Sequence, residues 1–184
     1  MGNMKKILIF PGTFQTIKNY GDYDGLDIWL KSSFIKDIPP ADYYIGHSGG
    51  INFILSHYDS IQKGKFIFIN PLIKKRSIII LLWNWLKFFF VESIKIRKVV
   101  PISNWLYCLK MVSRLLKIDV FGIIQKIPKE NLVIIRGKND NYFCDKESAE
   151  IIKSNNIKLI EIEAGHDWNE KIAQAVKTCI IPSN

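Results

Sequence analysis

Three short stretches of the sequence carry side chains able to do covalent chemistry together. Gly46-His47-Ser48-Gly49-Gly50 follows the apolar Tyr43-Tyr44-Ile45 and precedes a second apolar run that starts at Ile51. It fits the pattern G-x-S-x-G, in which a serine occupies a sharp strand-to-helix turn. Glycines flank such a serine because a side chain there would clash across the turn. The turn lifts the serine Oγ out of the sheet and places the N–H of Gly49 at the start of a helix, where it can stabilise an oxyanion. Later, Arg136-Gly137-Lys138-Asn139-Asp140 offers an aspartate and Ala164-Gly165-His166-Asp167-Trp168 a histidine, each just after an apolar run. Serine, carboxylate and imidazole in that chain order are the groups of acyl-transfer chemistry. Each position also has an ordinary reading. Aspartates occupy glycine turns, and Asp145 is close enough in sequence to be a rival acid. His57 falls in the helix after Ser48 and faces solvent. His47 points to the far side of the turn, where it packs or hydrogen-bonds.

These groups meet only if strands bring them to one edge. Short apolar runs at Lys6 to Phe10, Asp42 to Gly46, Lys65 to Asn70, Asn131 to Arg136 and Ile157 to Ile162 read as strands. They alternate with amphipathic stretches, the pattern of a parallel α/β sheet. Helices are predicted at Gly25 to Lys36, with Leu26, Trp29, Leu30 and Phe34 on one face, and at Gly49 to Tyr58, Lys146 to Ser154 and Asp167 to Lys177. Carboxyl ends of parallel strands open on the same edge of a sheet. Ser48, Asp140 and His166 can therefore meet, although 118 positions separate the first from the last.

Between the third and fourth strands lie about 55 residues, 72–126, without a convincing strand. A structureless loop of that length is improbable in a compact domain, so two helices are predicted, Ser77 to Glu92 and Ser103 to Lys117. They would form a helical cap inserted in a single domain spanning 1–184.

At this point the chain resembles a small member of the α/β-hydrolase superfamily. Gly46-His47-Ser48-Gly49-Gly50, Gly137-Lys138-Asn139-Asp140 and Gly165-His166 match its nucleophile, acid and base motifs in order, and Phe68-Ile69-Asn70-Pro71 resembles the strand after the elbow helix. The resemblance covers most of the chain outside the cap. It implies Ser48 as nucleophile, His166 as general base and then acid, and Asp140 as the group that orients the imidazole. It also implies an oxyanion hole made by Gly49 and by a second N–H from the loop Phe10-Pro11-Gly12-Thr13-Phe14. Thr13 is the expected donor and Phe14 the alternative. Pro11-Gly12 stands where many family members have His-Gly. The usual leading hairpin and the strand beyond the oxyanion loop have no counterpart here. The expected fold is thus a reduced, mainly parallel sheet of about five strands with helices on both faces. Its first strand would be an exposed edge, open to a partner chain in a homodimer.

Charge and composition narrow the partners. The chain of 184 residues has 48% apolar residues and a net charge of +9. The segment from Lys63 to Lys117 holds twelve basic residues and one acid, Glu92, a net +11, leaving −2 for the remainder. It also contains Trp83, Trp85, Phe88, Phe89, Phe90, Trp105 and Tyr107. A basic, aromatic cap over a serine suits an ester or thioester with an apolar acyl chain, and peripheral contact with an anionic membrane. It is weak evidence for nucleic acid, because the aromatics lie in a strongly apolar run.

The run from Ser77 to Val91 is fifteen residues, broken by Asn84 and Lys87, whereas a bilayer span needs roughly 20. Ile7 to Phe10 is too short for a signal peptide, and Lys6 replaces the hydroxyl residue of a myristoylation signal. Cys108, Cys144 and Cys179 are far apart and odd in number, which points to a reducing, cytoplasmic compartment with no disulfide framework or zinc site. Asp22-Tyr23-Asp24-Gly25 lacks the ligand spacing of a calcium loop, and Gly137-Lys138 lacks the glycine run of a phosphate loop. No metal or organic cofactor is expected. The leading expectation is a serine hydrolase. The alternatives are a non-catalytic binding protein of the same fold, docking through its cap, and an acyltransferase using the same three residues.

Overall fold

The computed structural model describes residues 5–33, 35–61, 63–91 and 99–180. Phe34, and Glu92, Lys95, Arg97 and Lys98 of the basic segment, lie outside the described residues. Five parallel strands form one sheet in the order β1-β2-β3-β4-β5. They are β1 (Ile7–Phe10), β2 (Tyr43–His47), β3 (Lys65–Ile69), β4 (Leu132–Gly137) and β5 (Lys158–Ile162).

Successive residues of a strand point to opposite faces, and here both faces are apolar. Leu8, Phe10, Tyr44, Phe66, Phe68 and Ile134 pack on one side with α1 (Gly49–Ser56), α3 (Trp105–Leu115), α4 (Val120–Ile124) and Ile152 of α5 (Lys146–Ser154). Ile9, Ile45, Ile67, Ile69 and Ile135 pack on the other side beneath Ile172, Val176 and Ile180 of α6 (Glu170–Ile180). Burial on both faces is what a parallel sheet requires. The register pairs Phe10 with Gly46, Gly46 with Phe68 and Gly137 with Ile162, so the carboxyl ends finish nearly level. That edge carries the loops after Phe10, His47, Ile69, Gly137 and Ile162.

Two sequence expectations fail at the first strand. Among the described residues of 25–36 no helix forms; they make turns and bends. The reason is the open side of β1, which captures the backbone at Gly25. Ile9 N–H donates to Asp24 O at 2.9 Å and Leu26 N–H donates to Ile9 O at 3.1 Å, one parallel bridge. The approach needs glycine, since a Cβ on Gly25 would lie 2.5 Å from Ile9 O. Trp29 is buried and its indole N–H donates to Pro11 O at 2.9 Å. The helix-spaced apolar residues are thus used to pack irregular backbone against the sheet. For the same reason the first strand is not a bare edge: its own chain covers it at Ile9.

Between β3 and β4 lie α2 (Ile78–Val91), α3 and α4. The short α4 escaped the sequence reading; Asp119 caps it, accepting from Gly122 N–H at 3.3 Å. No helix among the described residues is long and apolar enough to cross a membrane.

Candidate active site

Ser48 sits between the end of β2 and the start of α1 with φ 49° and ψ −119°, a left-handed conformation that a non-glycine residue adopts at a cost. Its neighbours hold it there. Ser48 N–H donates to Ile69 O at 2.9 Å, and Ser48 O accepts from Ile51 N–H at 3.0 Å. At Gly50 a Cβ would fall 2.2 Å from the carbonyl oxygen of Phe10, and at Gly46 one would fall 2.8 Å from Ile51 Cγ1. The glycines thus let the first turn of α1 press against β1 while the serine stays half-buried at the edge.

Asp140 and His166 meet directly. His166 Nδ1 lies 2.7 Å from Asp140 Oδ2, and Asp140 is completely buried. The loop after β4 wraps around the carboxylate. Tyr142 and Phe143 N–H each donate to Oδ1, and Cys144 N–H to Oδ2, all at 3.0 Å. Burial pushes the carboxyl pKa up, but the adjacent His166 and the amides of Phe143 and Cys144 outweigh it and hold Asp140 well below the usual carboxylate range. An ionised carboxylate at this distance accepts from His166 Nδ1–H and so leaves Nε2 unprotonated in the neutral ring.

The loop bearing His166 is braced from two sides by residues whose role was not legible in the sequence. Asn70, fully buried at φ 50°, donates from Nδ2 to His166 O at 2.7 Å and to Gly165 O at 3.3 Å, and accepts Gly137 N–H at 2.8 Å. One amide thus locks the ends of β3 and β4 to the histidine loop. His47, beside Ser48, is buried and hydrogen-bonded through both ring nitrogens. Its Nε2 lies 2.9 Å from His166 O, and since a carbonyl only accepts, Nε2 carries a proton. Burial, then the proximity of His166, lowers the His47 pKa to about 4.

The same chain of bonds reaches the loop after β1. The Tyr20 hydroxyl lies 2.6 Å from His47 Nδ1 and accepts Gly12 N–H at 2.7 Å. Gln15 Oε1 also contacts that hydroxyl, and Gln15 Nε2 donates to Asp167 Oδ1 at 2.6 Å. The loop is further fixed by Val100 N–H, which donates to Phe14 O at 2.8 Å, with Phe14 at φ 62°. Thr13 is brought against Gly49: a Cβ on Gly49 would lie 2.2 Å from Thr13 Oγ1. The loop after β1 and the residue after Ser48 therefore share one spot.

The rivals are placed elsewhere. Asp145 caps α5, accepting from Ser148 N–H at 2.9 Å and pairing with Arg76 at 2.6 Å. His57 ends α1, with Nδ1 3.0 Å from Phe53 O. Burial pushes the Cys108 thiol up to about 11 and the Cys144 thiol higher still, so neither is a thiolate nucleophile near neutrality. Among the described residues no group of three His, Cys, Asp or Glu could hold a metal ion.

Aromatic rings roof the imidazole. Phe143 lies 4.6 Å from the His166 ring centroid and Phe88 of α2 lies 5.4 Å away, edge-on. Phe14 touches Trp85 of α2 and Trp105 of α3, with centroids at 6.2 and 5.7 Å.

No family model matches the chain, and no curated protein matches it either. Solved structures do. An N-formylmaleamic acid deformylase from Pseudomonas putida superposes with a TM-score of 0.59 at 14% identity, covering 95% of this chain and 92% of its own. An α/β-hydrolase from the metagenome of lagoon sediments at Mar Chica, Morocco, gives 0.53 at 16% identity over 97% of this chain and 90% of its own. The chain has the α/β-hydrolase fold. A monoacylglycerol lipase from Paleococcus ferrophilus has it too, with a TM-score of 0.52 at 11% identity over 92% of this chain and 91% of its own. Within the α/β-hydrolase fold, the described residues of this chain form a five-stranded sheet whose first strand bridges the backbone at Gly25 on its outer side.

Proposed function

We propose that the protein is a serine hydrolase that cleaves a carboxylic ester or thioester. The observation that carries the reading is the buried 2.7 Å pair of Asp140 and His166, tied by His47 to the strained elbow of Ser48. Ser48 Oγ attacks the substrate carbonyl as His166 Nε2 takes its proton. Asp140 stays ionised and stabilises the imidazolium. The N–H groups of Gly49 and Thr13 hold the oxyanion. Collapse expels the alcohol or thiol, which receives the proton from His166. Water then attacks the acyl-enzyme with His166 again as base, releasing the acid and restoring Ser48.

The apolar wall of Phe14, Trp85, Phe88 and Phe143 favours an apolar acyl chain. A series of p-nitrophenyl esters of increasing chain length tests this. Turnover rising with chain length and vanishing in Ser48→Ala, together with fluorophosphonate labelling lost in that variant, is the expected result. Labelling that survives Ser48→Ala refutes Ser48 as the nucleophile. Product analysis with added alcohols separates hydrolysis from acyl transfer.

A further inference from the structure

The helix α2 is apolar on every side. Its sequence from Ile78 to Val91 contains only Asn84 and Lys87 as polar residues. A helix of that kind is normally buried all round. Here the protein covers one side of it. Asn84 donates to Tyr142 O at 2.7 Å, Phe88 lies on His166, and Trp85 lies on Phe14. On the opposite side Ile79, Trp83, Leu86 and Phe90 follow one another at spacings of four, three and four residues, which puts them in one line along the helix. That line faces solvent: Ile79 is 76% exposed, Trp83 59% and Phe90 78%.

The patch does not stop at α2. Every large apolar side chain that is exposed among the described residues lies between Ile79 and Leu109. In α3 these are Trp105, Leu106 and Leu109, and Phe14 joins the two helices through Trp85 and Trp105. Exposed apolar side chains gathered on two neighbouring stretches of the chain in this way mark a site of interaction.

Charge decides the partner. The described charged residues of 78–117 are Lys87, Lys110, Arg114 and Lys117, all basic. Lys110 and Arg114 are exposed on α3, adjoining its apolar stripe, and Lys87 lies beside the outer line of α2, with Nζ 5.5 Å from the Trp83 ring. A second copy of the chain would bring the same basic surface against itself. An anionic lipid surface offers the opposite charge together with an apolar layer for the exposed side chains. At 14 residues α2 is about 21 Å long, suited to lying in the interface and too short to cross it.

We infer that the outer face of α2, with the exposed stripe of α3, docks on an anionic lipid surface. Docking places the membrane one helix away from His166, because Phe88 and Trp85 are the inner side of the helix whose outer side meets the lipid. The site then faces esters held in the interface. The docking itself stands apart from the catalytic reading, and it is tested on an inactive protein.

Flotation of the Ser48→Ala chain with phosphatidylglycerol-containing vesicles, and with pure phosphatidylcholine vesicles, reads the partition directly. Strong partition onto the anionic vesicles that weakens with salt is expected, with a blue shift of tryptophan emission. Trp83→Asp with Phe90→Asp should abolish partition while circular dichroism and the urea midpoint stay at the parent values, since both side chains are exposed. Lys87→Gln and Lys110→Gln should each weaken it roughly fivefold. No partition onto anionic vesicles overturns the inference. So does equal partition of the Asp variant, or a concentration-dependent dimer, seen by sedimentation, that those substitutions dissociate.

Discussion

Asp140→Asn separates the two jobs of this carboxylate. In the protein Oδ1 accepts two backbone N–H groups, and Oδ2 accepts a third as well as His166 Nδ1. An amide has one oxygen. If that oxygen takes the Oδ1 position, the NH2 group faces Cys144 N–H and His166. Cys144 N–H then loses its acceptor in a buried place, at about 1–3 kcal/mol of stability. His166 can meet the NH2 only with a bare Nδ1, which moves its proton to Nε2 and removes the base. The reverse amide orientation orphans two N–H groups and is worse. The expected loss is about ten-thousand-fold in kcat/KM on a short ester, with a fall in the urea midpoint matching the orphaned donor. The charge adds a pH signature. A depressed carboxyl pKa contributes stability that is present above the ordinary value of 3.8 and is lost as pH falls below it. The stability gap between wild type and Asp140→Asn should therefore narrow in acid. Asp145→Asn is the control, since Asp145 bonds Ser148, Lys74 and Arg76 rather than the imidazole. An Asp140→Asn enzyme within tenfold of wild type, or an Asp145→Asn enzyme equally impaired, refutes the assignment.

Three further outcomes follow from the same contacts. Tyr20→Phe leaves Gly12 N–H without its acceptor and frees the loop that bears Thr13, so kcat should fall more than KM changes, with about 1–3 kcal/mol lost in urea denaturation. His47 is buried with a pKa lowered to about 4 from 6.5, so the unfolded chain binds the extra proton first; stability should decline as pH falls from 6.5 towards 4, by about 3 kcal/mol, and a His47→Gln variant should lack that slope in calorimetry. Gly50→Ala drives a Cβ into the Phe10 carbonyl, backbone that cannot swing aside, and should cost about 3 kcal/mol or more by urea midpoint.

The strands and the elbow were legible because their signals are local. Five apolar runs ended by Gly, Pro or Asn became five strands within two residues of expectation, and the glycines around Ser48 mark a turn that few other residues permit. Chain order and the parallel sheet then brought Asp140 to His166. What stayed hidden depends on contacts across the fold. Nothing in Asn70 or Tyr20 as residue types announces a brace, because each gains its role from partners 67 and 27 positions away. The stretch after Gly25 carries helix-spaced apolar residues, yet the open side of β1 competed for its backbone and prevailed. Which side of α2 is exposed was not legible either: apolar residues on all sides fit a buried helix as well as an interfacial one, and only the fold turns Ile79, Trp83, Leu86 and Phe90 outwards.

Strands that lie side by side in chain order have a consequence for assembly. Each strand pairs with one already made, but the intervening lengths are unequal: 17 residues separate β2 from β3 and 62 separate β3 from β4. Closing the longer interval costs about 1 kcal/mol more in chain entropy, and that interval carries α2, α3 and α4. The strained turn of Ser48, on the early half, is held in part by Ile69, whereas Asp140 and His166 arrive with the late half. A chain emerging from synthesis thus builds Ser48 first and His166 last, and the two halves are joined through Asn70 when β4 docks.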